Sequence, residues 1–284
     1  MVHPALILLG ILALSLHACR AVTFAPEGRA QADAVADSAG LQHAIRTAGV
    51  FDIAIWWRGR LRDDGPWRVY IEGDGRAWEA RNRISADPTP ADPLGLRLAA
   101  ADTAARVLYL ARPCQYVTGD ARRNCHPRYW TDARYGKAVI AAYQTLLSDL
   151  LSPNARLRLI GYSGGGVIAG LLAARLANVS DWVSVAANLD HGAWTAYHRV
   201  SPLRDSLQLW DDVEALARLP QWHLWGSEDR ISPAAIEAAL LTRLDSQGWA
   251  GKTIVAGFDH HCCWVGEWPR LSTELETNLG ALDP

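Results

Sequence analysis

The chain has 284 residues, half of them hydrophobic, with 28 Lys and Arg against 30 Asp and Glu. That is enough apolar material for a sizeable core, which excludes a disordered or fibrous chain. A formal net charge of -2, with no long block of like charges, excludes the electrostatic footprint of a DNA-, RNA- or anionic-lipid-binding surface, so nucleic acid is not an expected partner.

The opening residues, MVHPALILLGILALSLHAC, carry an apolar stretch from Ala5 to Leu16. It is long enough for an export signal and short for a membrane-spanning helix. LHAC resembles the lipobox of bacterial lipoproteins, with Leu16 and Ala18 on pattern. The resemblance implies that Cys19 is lipidated, becomes the first mature residue and anchors the chain to a bacterial envelope membrane. Plain secretion and an uncleaved anchor are the alternatives, because His17 and an n-region without Lys or Arg depart from the pattern. The expected division is a signal segment at 1–19, an Ala-rich tether at 20–46 and one folded domain at 47–284.

Short apolar runs bounded by turn residues predict strands at 51–57, 68–73, 106–111, 157–161, 182–188, 222–226 and 252–257. Helical patterns lie between the later runs. Ile140, Tyr143, Leu147 and Leu150 recur at spacings of three and four, and Gly165 to Leu176 forms a second helical stretch. Asp211 with Glu214 reads as a capping box, and Ser232-Pro233 as a cap and first-turn pair opening another helix. Strand and helix alternate from residue 106 onward. The expected architecture is therefore α/β, a mostly parallel central sheet with helices on both faces.

Cys114 and Cys125 flank a short polar loop and are expected to form a structural disulfide, worth about 3 kcal/mol in the loop-entropy model. Cys262 and Cys263 are adjacent and read either as a vicinal bridge or as two buried thiols. His260, His261 and those two cysteines cannot converge on one ion because they are consecutive, so no metal is expected.

Ser163 lies in G-Y-S-G-G, Gly161 to Gly165, between a predicted strand and a predicted helix, which is the context the G-x-S-x-G pattern requires. A sharp turn there holds the serine in an unfavourable backbone conformation, and small residues two positions away let neighbouring segments pass. The helix N-terminus next to Ser163 favours developing negative charge. A serine hydroxyl needs a base to take its proton and a third group to orient that base. Asp229 follows the penultimate predicted strand and His260 the last one.

With these three in order, the sequence resembles α/β-hydrolase-fold serine hydrolases, particularly envelope or secreted bacterial members, from about residue 50 onward. The resemblance implies Ser163 as nucleophile, Asp229 as acid and His260 as general base, His260 being preferred to His261 by spacing in GFDH. Glu228, Asp259 and Asp190 compete with Asp229. For the oxyanion it implies the N–H of Gly164 and, after the third strand, the N–H of Asp74, with Gly75 the near alternative. Glu72-Gly73 stands where the family usually has His-Gly.

The expected reaction is cofactor-free acyl transfer to water on a small-molecule or lipid-like carboxylic ester. Amide or peptide hydrolysis is the enzymatic alternative, and a non-catalytic envelope lipoprotein acting as a binding module is the other. Asp190 to Pro220 is the natural position for a small lid. Trp78 and Trp264 are candidates to line the pocket.

Overall fold

A computed structural model describes residues 27–282. Cys19, the signal segment and the start of the expected tether lie outside the described residues. The folded body starts earlier than the sequence suggests: Glu27–Ser38 is helix α1 and Gln42–Ala48 is strand β1, so residues 27–46 are not a linker. Small side chains replace the missing large ones. Ala32 and Ala36 share one helix face, are fully buried, and join Leu41, Trp56 and Leu94 in a packed cluster. Arg29 adds a hydrogen bond to the Tyr116 carbonyl at 3.2 Å and stacks over Trp56, 5.1 Å from the ring centre.

The chain continues through β2 (Phe51–Arg58), β3 (Trp67–Ile71), a small hairpin of β4 (Trp78–Ala80) and β5 (Arg83–Ile84), α2 (Leu94–Ala101) and β6 (Val107–Leu110). Then come α3 (Lys137–Leu150), β7 (Leu157–Tyr162), α4 (Gly164–Ala173), β8 (Val179–Val185), α5 (His191–His198) and α6 (Val213–Leu216). It finishes with β9 (Gln221–Gly226), α7 (Ala238–Leu244), β10 (Ala250–Val255) and α8 (Trp264–Leu282). The main sheet has eight strands in the order β1-β2-β6-β3-β7-β8-β9-β10. Both pairings of β2 are antiparallel, and every pairing from β6 to β10 is parallel.

Alternation along each strand feeds a different core on each face. Ile53, Ile55, Val69, Leu108 and Leu159 pack with α3, α4 and α7 on one side. Trp56, Tyr70, Tyr109 and Ile160 pack with α1, α2 and α8 on the other. α4 runs against the middle of the sheet, and residues 164–172 are all buried, which explains why it is apolar all round.

Local departures from expectation have backbone causes. β8 ends at Val185, short of the predicted 188, because Ala186 takes φ +51° and leaves the sheet. Gly257 at φ +75° lies beyond the earlier end of β10. The Asp211/Glu214 box is not formed: a 3-10 turn, Leu209–Asp212, precedes α6, and Asp212 instead pairs with Arg175 at 2.6 Å. Nor does Ser232 cap a helix, since Pro233 is extended and a 3-10 turn, Ala234–Glu237, follows it. Cys114 and Cys125 are bridged, with Cα atoms 5.6 Å apart, and Cys262 and Cys263 form a vicinal disulfide.

Candidate active site

The C-terminal ends of β3, β7, β9 and β10 supply the site. β7 delivers Ser163 at φ +51° and ψ -127°, a conformation costly for a residue with a Cβ, by about 1–3 kcal/mol. Two backbone bonds hold it there: Ser163 N–H donates to Val185 O and Gly166 N–H to Ser163 O, both at 2.9 Å. The glycines on either side are required by close approach. A Cβ on Gly161 would collide with the backbone of Gly165 and Gly166, and one on Gly165 with the Ile71 carbonyl at the end of β3.

His260 follows β10 and is 5% exposed. Its Nε2 lies 3.1 Å from Ser163 Oγ and its Nδ1 2.8 Å from Asp229 Oδ2. Asp229 Oδ1 accepts the N–H groups of Ile231 and Ser232, each at 2.8 Å. Burial alone would raise the Asp229 carboxyl, but His260 and these two amides outweigh it and hold the group below the usual carboxylate range.

The competing acids have other tasks. Asp259 accepts from the amides of His261 and Cys262 at 2.7 and 2.6 Å, and these bonds lower its pKa while they shape the His260 loop. Asp190 caps α5 through Ala193 N–H at 2.9 Å and receives Trp210 Nε1–H at 2.8 Å. Glu228 is exposed. The ring of His261 meets the Tyr162 hydroxyl at 3.2 Å.

On the other side of Ser163 runs Glu72-Gly73-Asp74. A Cβ on Gly73 would stand 3.2 Å from the Ser163 Cβ, so this segment passes directly beside the serine. Asp74 N–H has no partner among the described residues, and Gly164 opens α4, whose first N–H groups lack helical acceptors. Gly75, the alternative donor, turns at φ +64° against Pro88 and Gln115. Glu72 is buried and accepts from the amides of Gly73, Gly95 and Leu96 and from the Tyr109 hydroxyl, tying the loop to the start of α2.

Sequence reasoning missed a charged cluster behind this loop. The Asp74 carboxylate receives Arg112 Nη1 at 2.8 Å and Arg134 Nη1, with both arginine side chains almost fully buried. The Tyr135 hydroxyl lies 3.3 Å from the same carboxylate. Burial pushes Asp74 up, yet Arg134 and Arg112 overcome it and leave the carboxyl below its ordinary value. The only sequence signal was an Arg two residues beyond β6 and an Arg-Tyr pair before α3. Neither announces a partner at position 74.

Ser163 and His260 open into a cleft of about 650 Å³ whose walls include Trp78, Arg134, Asn188 and Trp194. Trp194 belongs to α5, in the segment expected as a lid, and its Nε1–H donates to Ile231 O at 2.8 Å. Trp264, the other aromatic candidate, is fully buried and bonds Asp259 O at 3.0 Å. It is core because α8 turns it against Phe258, ring centres 5.0 Å apart.

No family model and no curated protein matches the sequence. Solved structures do. An esterase of Pyrococcus furiosus superposes with a TM-score of 0.56 at 11% identity, over 86% of this chain and 93% of its own. An α/β serine hydrolase without lid from Xanthomonas campestris gives 0.51 at 12% identity, over 86% and 96%. The acylaminoacyl peptidase of Pyrococcus horikoshii gives 0.58 at 10% identity, and this chain, 84% of which is covered, spans 41% of the peptidase. Strand order, the serine turn after β7 and these likenesses agree: the chain has the α/β-hydrolase fold.

Proposed function

We propose that the protein is a serine hydrolase that cleaves carboxylic acyl bonds, with esters as the preferred substrates. The observation that carries this reading is the hydrogen-bonded series Ser163 Oγ, His260, Asp229, at 3.1 and 2.8 Å. Ser163 Oγ attacks the carbonyl carbon as its proton passes to His260 Nε2. Asp229, acceptor only, fixes the proton of His260 on Nδ1, so Nε2 faces the serine as the lone-pair nitrogen. The N–H groups of Gly164 and Asp74 receive the oxyanion; losing one such donor typically costs about 3 kcal/mol. His260 then returns the proton to the departing alkoxide, and water repeats the sequence on the acyl-serine. No cofactor enters.

Fluorophosphonate labelling of the native protein against Ser163→Ala tests the chemistry. Label on the native protein alone supports it, while an unlabelled native protein would point to a binding module. Rates on short acyl esters against matched amides rank the substrates, and faster amide cleavage would make the protein a peptidase or amidase. On location, the proposal from the sequence is a lipid anchor at Cys19. Incorporation of a clickable fatty acid that disappears in Cys19→Ser would support it, and an unlabelled native chain would remove it.

A further inference from the structure

Two guanidinium groups share one carboxylate beside the serine turn. Arg112 and Arg134 both bind Asp74, and the only other group on that carboxylate is the Tyr135 hydroxyl. Arginine keeps its proton in proteins and Asp74 is held below the ordinary carboxylate range, so the cluster carries one positive charge in excess. It stands one carboxylate away from the oxyanion donors. Asp74 Oδ2 takes Arg134 Nη1, while Asp74 Oδ1 fills the space beside the Cα of Gly164.

The two arginines differ in what they have left to offer. Arg112 donates through Nη1 to Asp74 and through Nη2 to the Arg134 carbonyl, and its Nε is closed to solvent. Arg134 donates through Nε to Thr131 O at 2.7 Å and through Nη1 to Asp74, which leaves Nη2 without a partner among the described residues. Unlike Arg112 Nε, this nitrogen is open to solvent. The Arg134 side chain is only 7% exposed, and it lines the cleft that holds Ser163 and His260, so its open N–H groups are met from that cleft.

The other carboxylates of the cleft wall are engaged. Glu72 accepts from four donors, and Asp92 pairs with Arg97 at 2.8 Å. Arg76, exposed in the same wall, adds a further cation. A nearly buried guanidinium edge without a counter-charge is costly to leave alone, and its planar pair of donors matches a carboxylate.

We infer that Arg134 is a specificity-determining residue whose Nη2 edge binds an anionic group of the substrate, a carboxylate a few bonds from the scissile carbonyl. The cleft on this account takes half-esters of dicarboxylic acids, or esters whose alcohol carries an acid, in preference to neutral esters. The inference rests on the acyl-hydrolase reading above and adds to it the charge class of the substrate.

The test uses esters in pairs that differ by one methyl cap on the acid. For the acyl side, p-nitrophenyl adipate with a free second carboxylate is compared with its methyl ester. For the alcohol side, the butyrate ester of 3-hydroxybenzoate is compared with that of methyl 3-hydroxybenzoate. Each kcat/KM is divided by the ester's spontaneous hydrolysis rate. The native protein is expected to favour at least one anionic ester by about tenfold or more, the preferred pair telling which side carries the acid. In Arg134→Gln that ratio falls toward one, chiefly through a higher KM for the anionic ester. Equal rates within both native pairs, or faster neutral esters, overturn the inference. So does a variant in which anionic and neutral esters slow in step, because Arg134 would then serve only to hold Asp74. The native comparison stands even if the variant does not fold. Absence of turnover together with absence of fluorophosphonate labelling would remove the hydrolase reading and this inference with it. Turnover without preference for an anion removes the inference alone.

Discussion

The carboxylate of Asp74 occupies the space that a side chain at position 164 would need. A Cβ on Gly164 would run into Asp74 Oδ1 and stand 2.7 Å from the Tyr135 hydroxyl. Arg112 and Arg134 hold that carboxylate in place, so it cannot swing away without leaving two buried guanidinium groups short of a partner. The serine turn and the loop beside it are thus one rigid object.

Gly164→Ala is expected to push the 73–74 segment away from Ser163 and misplace its N–H. The ester kcat should fall by roughly 100-fold, with an overpacking loss of about 1–3 kcal/mol in stability. Steady-state kinetics and urea unfolding measure both, and a variant equal to the native protein in rate would show that the loop has room.

Asp229→Asn exchanges an acceptor for a group that can donate. Its amide would bond His260 Nδ1 as donor and drive the ring proton to Nε2, which then has no lone pair for the Ser163 proton. Turnover is expected to drop by about 10³–10⁴-fold, as in other triads with the wrong tautomer, while the fold persists because the residue is isosteric. Circular dichroism and ester kinetics together check this; activity within tenfold of native would exclude Asp229 as the orienting acid.

Glu237, fully buried, holds Asp190 N–H through Oε2 at 2.7 Å and leaves Oε1 unpartnered among the described residues. Burial pushes its carboxyl up to about 8, so at neutral pH the folded protein keeps a proton that the unfolded chain releases above the usual glutamate range. The stabilisation from that proton is complete below about pH 4.3 and is lost as pH rises through 8. Stability should therefore decline between about pH 4.3 and about pH 8, and Glu237→Gln, which is neutral throughout, should flatten that decline. Parallel slopes for the two proteins in urea titrations would show that Glu237 titrates normally.

The Cys114–Cys125 bridge closes a loop with a sequence separation of 11 and packs with Ala77 and Trp130. Replacing both cysteines by Ala is expected to cost about 3 kcal/mol. A thermal midpoint unchanged under non-reducing conditions would mean that the loop is ordered without it.

Much of the fold was readable because the parallel strands are buried on both faces and stand out as apolar runs between turns. β7 and β9 follow their predicted bounds to within a residue. α1 and β1 were not readable: a face made of alanines has too little hydrophobic contrast to distinguish a docked helix from a tether, and β1 is mostly exposed at the sheet edge. The residues drawn together at the site were nameable because each stands where a strand ends. Arg112, Arg134, Tyr135 and Asn188 were not, since pairing across 38, 60 or 53 positions leaves no local pattern.

What the sequence determines by itself is local and periodic. It places a glycine-flanked serine between strand and helix, an acid and a histidine after the last strands, and two-faced apolar strands that require helices on both sides. The tertiary structure alone decides which of several carboxylates meets His260, which tryptophan faces the cleft, and which buried arginines neutralise Asp74. Those outcomes depend on where burial makes an unpaired charge or donor too costly to leave alone, and that cost exists only once distant segments have closed over it.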